Sequence, residues 1–105
     1  MTILNAEALA PIMIGATHVV DMGGVEAHIY YEADSKAHIQ LPGGKRMHGR
    51  WELMADGYRV EWSEGPTAVW KLDHESAGIN YVDTGGLVRG RLARIVFGDS
   101  AGIAS

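Results

Sequence analysis

Histidine is the residue type in this chain whose number and spacing most invite chemistry. His18, His28, His38 and His48 recur every ten residues, and imidazole is both the commonest metal ligand and the side chain that titrates nearest neutral pH. Brought together, such residues bind zinc or iron; singly, one can act as a general base. In the hairpin register that pairs Glu32 with Ala37, however, His28 shares a face with Tyr30, Ile39 and Leu41, while His38 lies on the opposite face with Ile29, Tyr31 and Gln40. The set therefore reads as histidines scattered over strands, with no metal and no cofactor expected.

Three other stretches imitate catalytic motifs. Asp73-His74-Glu75 opens like a zincin signature, but the second histidine would have to stand at Gly78, so a solvated turn is expected. Gly98-Asp99-Ser100-Ala101-Gly102 matches a nucleophile elbow letter for letter. An elbow needs a strand turning into a helix, and no helix is expected from the few residues given after Gly102. Pro42-Gly43-Gly44-Lys45-Arg46 lacks the glycine interval, the Ser or Thr and the helix of a phosphate loop.

The richest set is aromatic and cationic: Trp51, Trp62, Trp70, Tyr58 and Tyr81, with Arg89, Arg91 and Arg94 on the last strand. If Leu87 and Ile95 point inward, Arg89 and Arg91 enter the interior and need a partner or an anionic ligand, because an unpaired buried charge is strongly unfavourable. The preferred alternative has Val88, Leu92 and Val96 filling the core while the arginines pair outside with Glu26, Glu61 or Asp83.

The elements that must position these residues are strands. From Gly49 to Trp62 an Asp56-Gly57 turn joins two alternating arms, setting Leu53 opposite Tyr58, Trp51 opposite Val60 and Gly49 opposite Trp62. Arg50, Glu52, Arg59 and Glu61 then share the wet face. Before this hairpin, Leu4, Ala8, Leu9, Ile12 and Met13 recur at helical spacing, so a short helix is expected over 6–13, capped by Asn5 and ending near Pro11. Further strands are expected over 17–22, 25–32, 37–41, 67–73, 79–83 and 87–97, with a loop from His74 to Gly78 and a small polar tail beyond Phe97. Strict pairing across Ser63 to Pro66 would separate Trp62 from Trp70, so a bulge or altered loop is expected to return both indoles to one interior. The whole is all-β: an antiparallel meander of seven or eight strands closing into a barrel or half-barrel, with a short N-terminal helix.

Composition bounds the rest. At 105 residues and 47% hydrophobic, the chain suits one domain with one core. A net charge of -4 opposes capture of nucleic acid. The absence of cysteine removes disulfides and thiolate chemistry. No apolar run reaches membrane-spanning length and no signal peptide is evident, so no membrane partner and a cytoplasmic location are expected, or a periplasmic one for a mature form.

Taken together, the apolar helix ending at Gly15-Ala16-Thr17, Tyr30-Tyr31 before Asp34, Gly49-Arg50-Trp51, Val60-Glu61-Trp62 and Tyr81-Val82-Asp83 resemble the small lipocalin-like domains of unknown function found in bacteria. The resemblance implies a calycin-type barrel with an interior pocket, and no reaction. The leading expectation is binding of a hydrophobic or aromatic small molecule by Trp51, Leu53, Tyr58, Val60, Trp62, Trp70, Tyr81, Arg89 and Arg91. A small isomerase, dehydratase or decarboxylase is the enzymatic alternative, with His28 or His48 as base and Tyr30 or Tyr58 as acid. A non-catalytic homodimer, joined through the first or last strand or the helix, is the third.

Overall fold

The computed structural model describes residues 2–63, 65 and 67–99. Its single helix among these, α1 (Ala6–Met13), begins where the Asn5 side chain accepts a hydrogen bond from the Ala8 amide at 2.9 Å. Pro11 stands late enough to leave the first turn intact, and Leu9 and Met13, one turn apart on one face, are fully buried.

The strands are β1 (Thr2–Ile3), β2 (Ala16–Asp21), β3 (Glu26–Tyr31), β4 (Lys36–Gln40), β5 (Arg46–Met54), β6 (Gly57–Trp62), β7 (Thr67–Glu75), β8 (Gly78–Val82) and β9 (Val88–Phe97). Consecutive strands from β2 to β9 pair antiparallel, and β9 returns to β2, so eight strands close into a barrel among the described residues. β1 lies against β7 beyond the end of the β6 ladder. Closure removes most of the edge that an open sheet would expose.

The central hairpin has the expected register, with Trp51 opposite Val60 and Gly49 opposite Trp62. Its glycines are required by space rather than by the turn's dihedral angles: a Cβ on Gly49 would collide with the Glu61 carbonyl, and one on Gly57 with that of Trp70. Tyr58 pairs with Trp70 and Val60 with Ala68, so Trp62 and Trp70 do share the interior.

Three expectations are corrected. Tyr31, not Glu32, pairs with Ala37, because Ser35 adopts a positive φ of 73° and makes a three-residue loop. That one-residue shift moves His38 to the face of His28 and Tyr30. Asp73, His74 and Glu75 continue β7 instead of forming a solvated turn; Glu75 pairs with Gly78, and buried Asp73 accepts the Thr2 amide at 3.0 Å. Finally, β9 does not keep one alternation. Tyr81 pairs with Gly90 and Val82 with Val88, leaving out Arg89; Val19 pairs with Arg94 and Val20 with Leu92, leaving out Ala93. These bulges put Leu92 on the inner face and leave Val88 58% exposed, so Val88 does not fill the core. Arg89 instead pairs with Asp83 at 2.8 Å and Arg94 with Glu26 at 3.7 Å, both on acids expected as partners. The elbow-like serine, Ser100, lies outside the described residues.

Candidate functional site

The barrel interior is divided along its axis. At one end α1 inserts Leu9 and Met13 against a cluster that includes Ala37, Trp51 and Leu72. At the other end no element covers the lumen among the described residues, and a cavity of about 270 Å³ remains. Its walls carry Val20, Ala27, Ile29, Ile39, Leu41 and Met47 from one side and Val60, Trp62, Ala68 and Trp70 from the other. Alternation along each strand produces this lining, since every second side chain turns inward.

Between the two ends lies a layer of polar atoms. Tyr31, Tyr58 and Tyr81 all reach the cavity, and the Tyr31 and Tyr58 hydroxyls meet at 2.9 Å. Behind them His18 is fully buried, with Nε2 at 2.8 Å from the Ile12 carbonyl and Nδ1 at 2.7 Å from the Tyr81 hydroxyl. A carbonyl can only accept, so Nε2 carries the hydrogen and Nδ1 accepts the Tyr81 proton. Burial holds the His18 pKa down at about 4, which keeps the ring neutral, although the Ile12 hydrogen bond opposes the shift. Burial likewise pushes all three tyrosines upward, with Tyr31 also raised by its tyrosine neighbours and Tyr81 by Tyr58; the Tyr31 hydrogen bond moderates the rise at Tyr58.

This bonding fixes what the cavity floor offers a guest. Tyr81 has spent its hydrogen on His18 and presents an oxygen lone pair. In the Tyr31–Tyr58 pair one hydroxyl donates to the other, and the accepting hydroxyl keeps its own hydrogen to give. The floor thus holds one donor and one acceptor beneath an apolar wall.

Of the residues expected to line a pocket, Tyr58, Val60, Trp62, Trp70, Tyr81 and Arg89 border the cavity. Trp51 does not; it packs beneath the tyrosine layer, its indole donating to the Glu32 carbonyl at 3.0 Å. Leu53 packs against the core without bordering the cavity, and Arg91 is exposed opposite Asn80. His28, His48 and Tyr30, the other acid–base candidates, lie on the outer wall, so they do not share the interior with Tyr58. Tyr31 and His18 were missed as site residues, although Tyr30-Tyr31 on a strand requires one ring to point inward.

A side cleft of about 540 Å³ adjoins the cavity and shares Met22, Ala68, Trp70 and Arg89 with it. It opens because β8 pairs with β7 only from Lys71 onward, leaving Thr67 to Trp70 without a strand neighbour on that side among the described residues. The Asp83 carboxyl beside this cleft is held below the usual carboxylate range, first by Arg89 and then by the Leu87 amide.

On the outer wall, His38 and His48 stand opposite each other, with their Nδ1 atoms 2.6 Å apart. The Glu32 carboxylate is 3.4 Å from His38 Nε2, and the Tyr30 ring stacks on His38 at a centroid distance of 6.1 Å. No group of three or more His, Cys, Asp or Glu among the described residues is arranged to hold a metal, and no helix among them is long and apolar enough to cross a membrane. No protein-family model, curated protein or solved structure matches the chain.

Proposed function

We propose that this protein is a lipocalin-like, calycin-type binding barrel that holds a compact apolar or aromatic molecule carrying one oxygen. The observation that carries the reading is the open, apolar cavity with a tyrosine donor and a tyrosine acceptor at its floor. At about 270 Å³ it lies just below the ~300–1,000 Å³ of drug-sized sites, which suits a guest of roughly one or two rings. A ring hydroxyl can accept from the Tyr31–Tyr58 pair and donate to Tyr81 while its carbon frame contacts Trp62, Trp70 and the aliphatic wall. The raised tyrosines and neutral His18 favour fixed hydrogen bonding over proton transfer, and hence binding over acid–base catalysis.

The test is titration with 2-naphthol and with naphthalene, read by tryptophan fluorescence and by native mass spectrometry. Saturable one-to-one binding is expected, with 2-naphthol tighter by about 0.5–1.5 kcal/mol, the net worth of a typical hydrogen bond. The double variant Tyr31→Phe/Tyr58→Phe, which removes the floor donor whichever hydroxyl supplies it, should narrow that difference while naphthalene still binds. Failure of both molecules to bind would overturn the cavity reading; equal affinity for both would overturn the role of the floor.

A further inference from the structure

We infer that His38 and His48 form a second, independent site on the outer wall: a two-imidazole seat for a divalent transition-metal ion, copper(II) above all. The two Nδ1 atoms face each other at 2.6 Å, close enough that one hydrogen can stand between them and two cannot. The Glu32 carboxylate lies 3.4 Å from His38 Nε2 without a formed hydrogen bond, so its charge favours the tautomer with the hydrogen on Nε2, which leaves the Nδ1 lone pair directed at His48. A carboxylate hydrogen-bonded to one imidazole nitrogen is the usual support for a metal on the other, and Glu32 has to close by a few tenths of an ångström to become one. Tyr30 stacks nearly parallel to the His38 ring, 21° between planes, which limits its rotation. The pair stands on the outer wall, apart from the cavity.

The two rings have complementary freedom. His38 is buried and held; His48 is exposed and can move. When an ion enters, the His48 hydrogen passes from Nδ1 to Nε2 by exchange with water, so the tautomer changes and no net proton is released. Both Nδ1 lone pairs then point at the metal. Nitrogens bonded at ~2.0–2.1 Å in adjacent positions must stand about 3 Å apart, so the pair opens by a few tenths of an ångström, taken up by His48.

With no third protein ligand among the described residues, water fills the remaining positions. Such a nitrogen-rich, open site follows the general order in which copper(II) exceeds nickel(II) and zinc(II). The one-residue register shift at Ser35 is what creates the site, since pairing Glu32 with Ala37 would have sent His38 to the inner face.

The experiment is calorimetric titration of the chelator-treated full chain with copper(II), zinc(II) and nickel(II) salts, together with frozen-solution electron paramagnetic resonance of the copper form. One copper per chain is expected, with two imidazole nitrogens in the spectrum and affinity above that for nickel and zinc. His48→Ala should lower copper affinity at least about tenfold and leave one nitrogen, and its exposed position lets circular dichroism verify an unchanged fold. Glu32→Gln should weaken binding by less than the about 10–100-fold that follows removal of a hydrogen-bonded outer-shell partner. His74→Ala, on another strand, should change nothing. A wild-type spectrum with one nitrogen, or equal effects of His48→Ala and His74→Ala, would overturn the site.

Discussion

The two ends of the barrel receive the same alternating strands but differ in what enters them. At the helix end, Leu9 and Met13 descend from α1 to meet Ala37, Trp51 and Leu72, and the lumen is filled. At the other end the inward positions include Ala27, Ala68 and Gly90, and the Gly23-Gly24 and Gly43-Gly44 turns there are made of residues without side chains. The tyrosine layer divides the two, with buried His18 joining β2 to the helix through Ile12. Strand patterning therefore makes a container, and one short helix determines which part of it is solid. Stability should reside at the filled end and guest binding at the hollow end.

Truncation of matched leucines is the strongest way to break this division. Leu72→Ala, at a fully buried position, should cost about 2–5 kcal/mol in urea unfolding, whereas Leu41→Ala on the cavity wall should cost under about 1 kcal/mol. Equal losses would mean that the open end is as tightly packed as the plugged one.

The dividing layer should give the fold a pH dependence of its own. His18 has a folded pKa of about 4 against an ordinary value of 6.5, so the unfolded chain binds more protons between these limits. Stability should be fully present above about pH 6.5 and fall as the pH drops toward 4, by about 3 kcal/mol in all. Denaturation midpoints of the wild type and His18→Gln, compared across that range, check it: the variant should lose this slope.

The smallest effect on folding should accompany filling of the cavity. Ala37→Leu, in the packed end, should cost about 1–3 kcal/mol, while Ala27→Leu should shift stability by under about 0.5 kcal/mol and abolish 2-naphthol binding. Bound naphthol in the Ala27→Leu protein would place the guest elsewhere.

Much of the container was legible in the sequence because it depends on short-range signals. The Asn5 cap, the pairing of Trp51 with Val60 and the shared interior of Trp62 and Trp70 follow from spacing and alternation. The cavity wall was legible in part for the same reason, with Tyr58, Val60, Trp62, Trp70 and Tyr81 on it and Trp51 below it. The departures arise where one residue's backbone conformation resets everything after it. Ser35 takes a left-handed conformation that its residue type does not announce, and the faces of His28 and His38 depend on it. The bulges at Arg89 and Ala93 likewise depend on both neighbours of β9, which are distant in sequence. The pairing of His18 with Tyr81 spans 63 residues, so only the closed barrel brings them together.

The stretch from Thr67 to Trp70 gives the sleeve a seam. Along that line Met22, Trp70 and Arg89 border the cleft, and among the described residues no inter-strand ladder crosses it. Widening the wall there displaces side chains and breaks no rung of the described ladders, so the sleeve gives way most cheaply along this line.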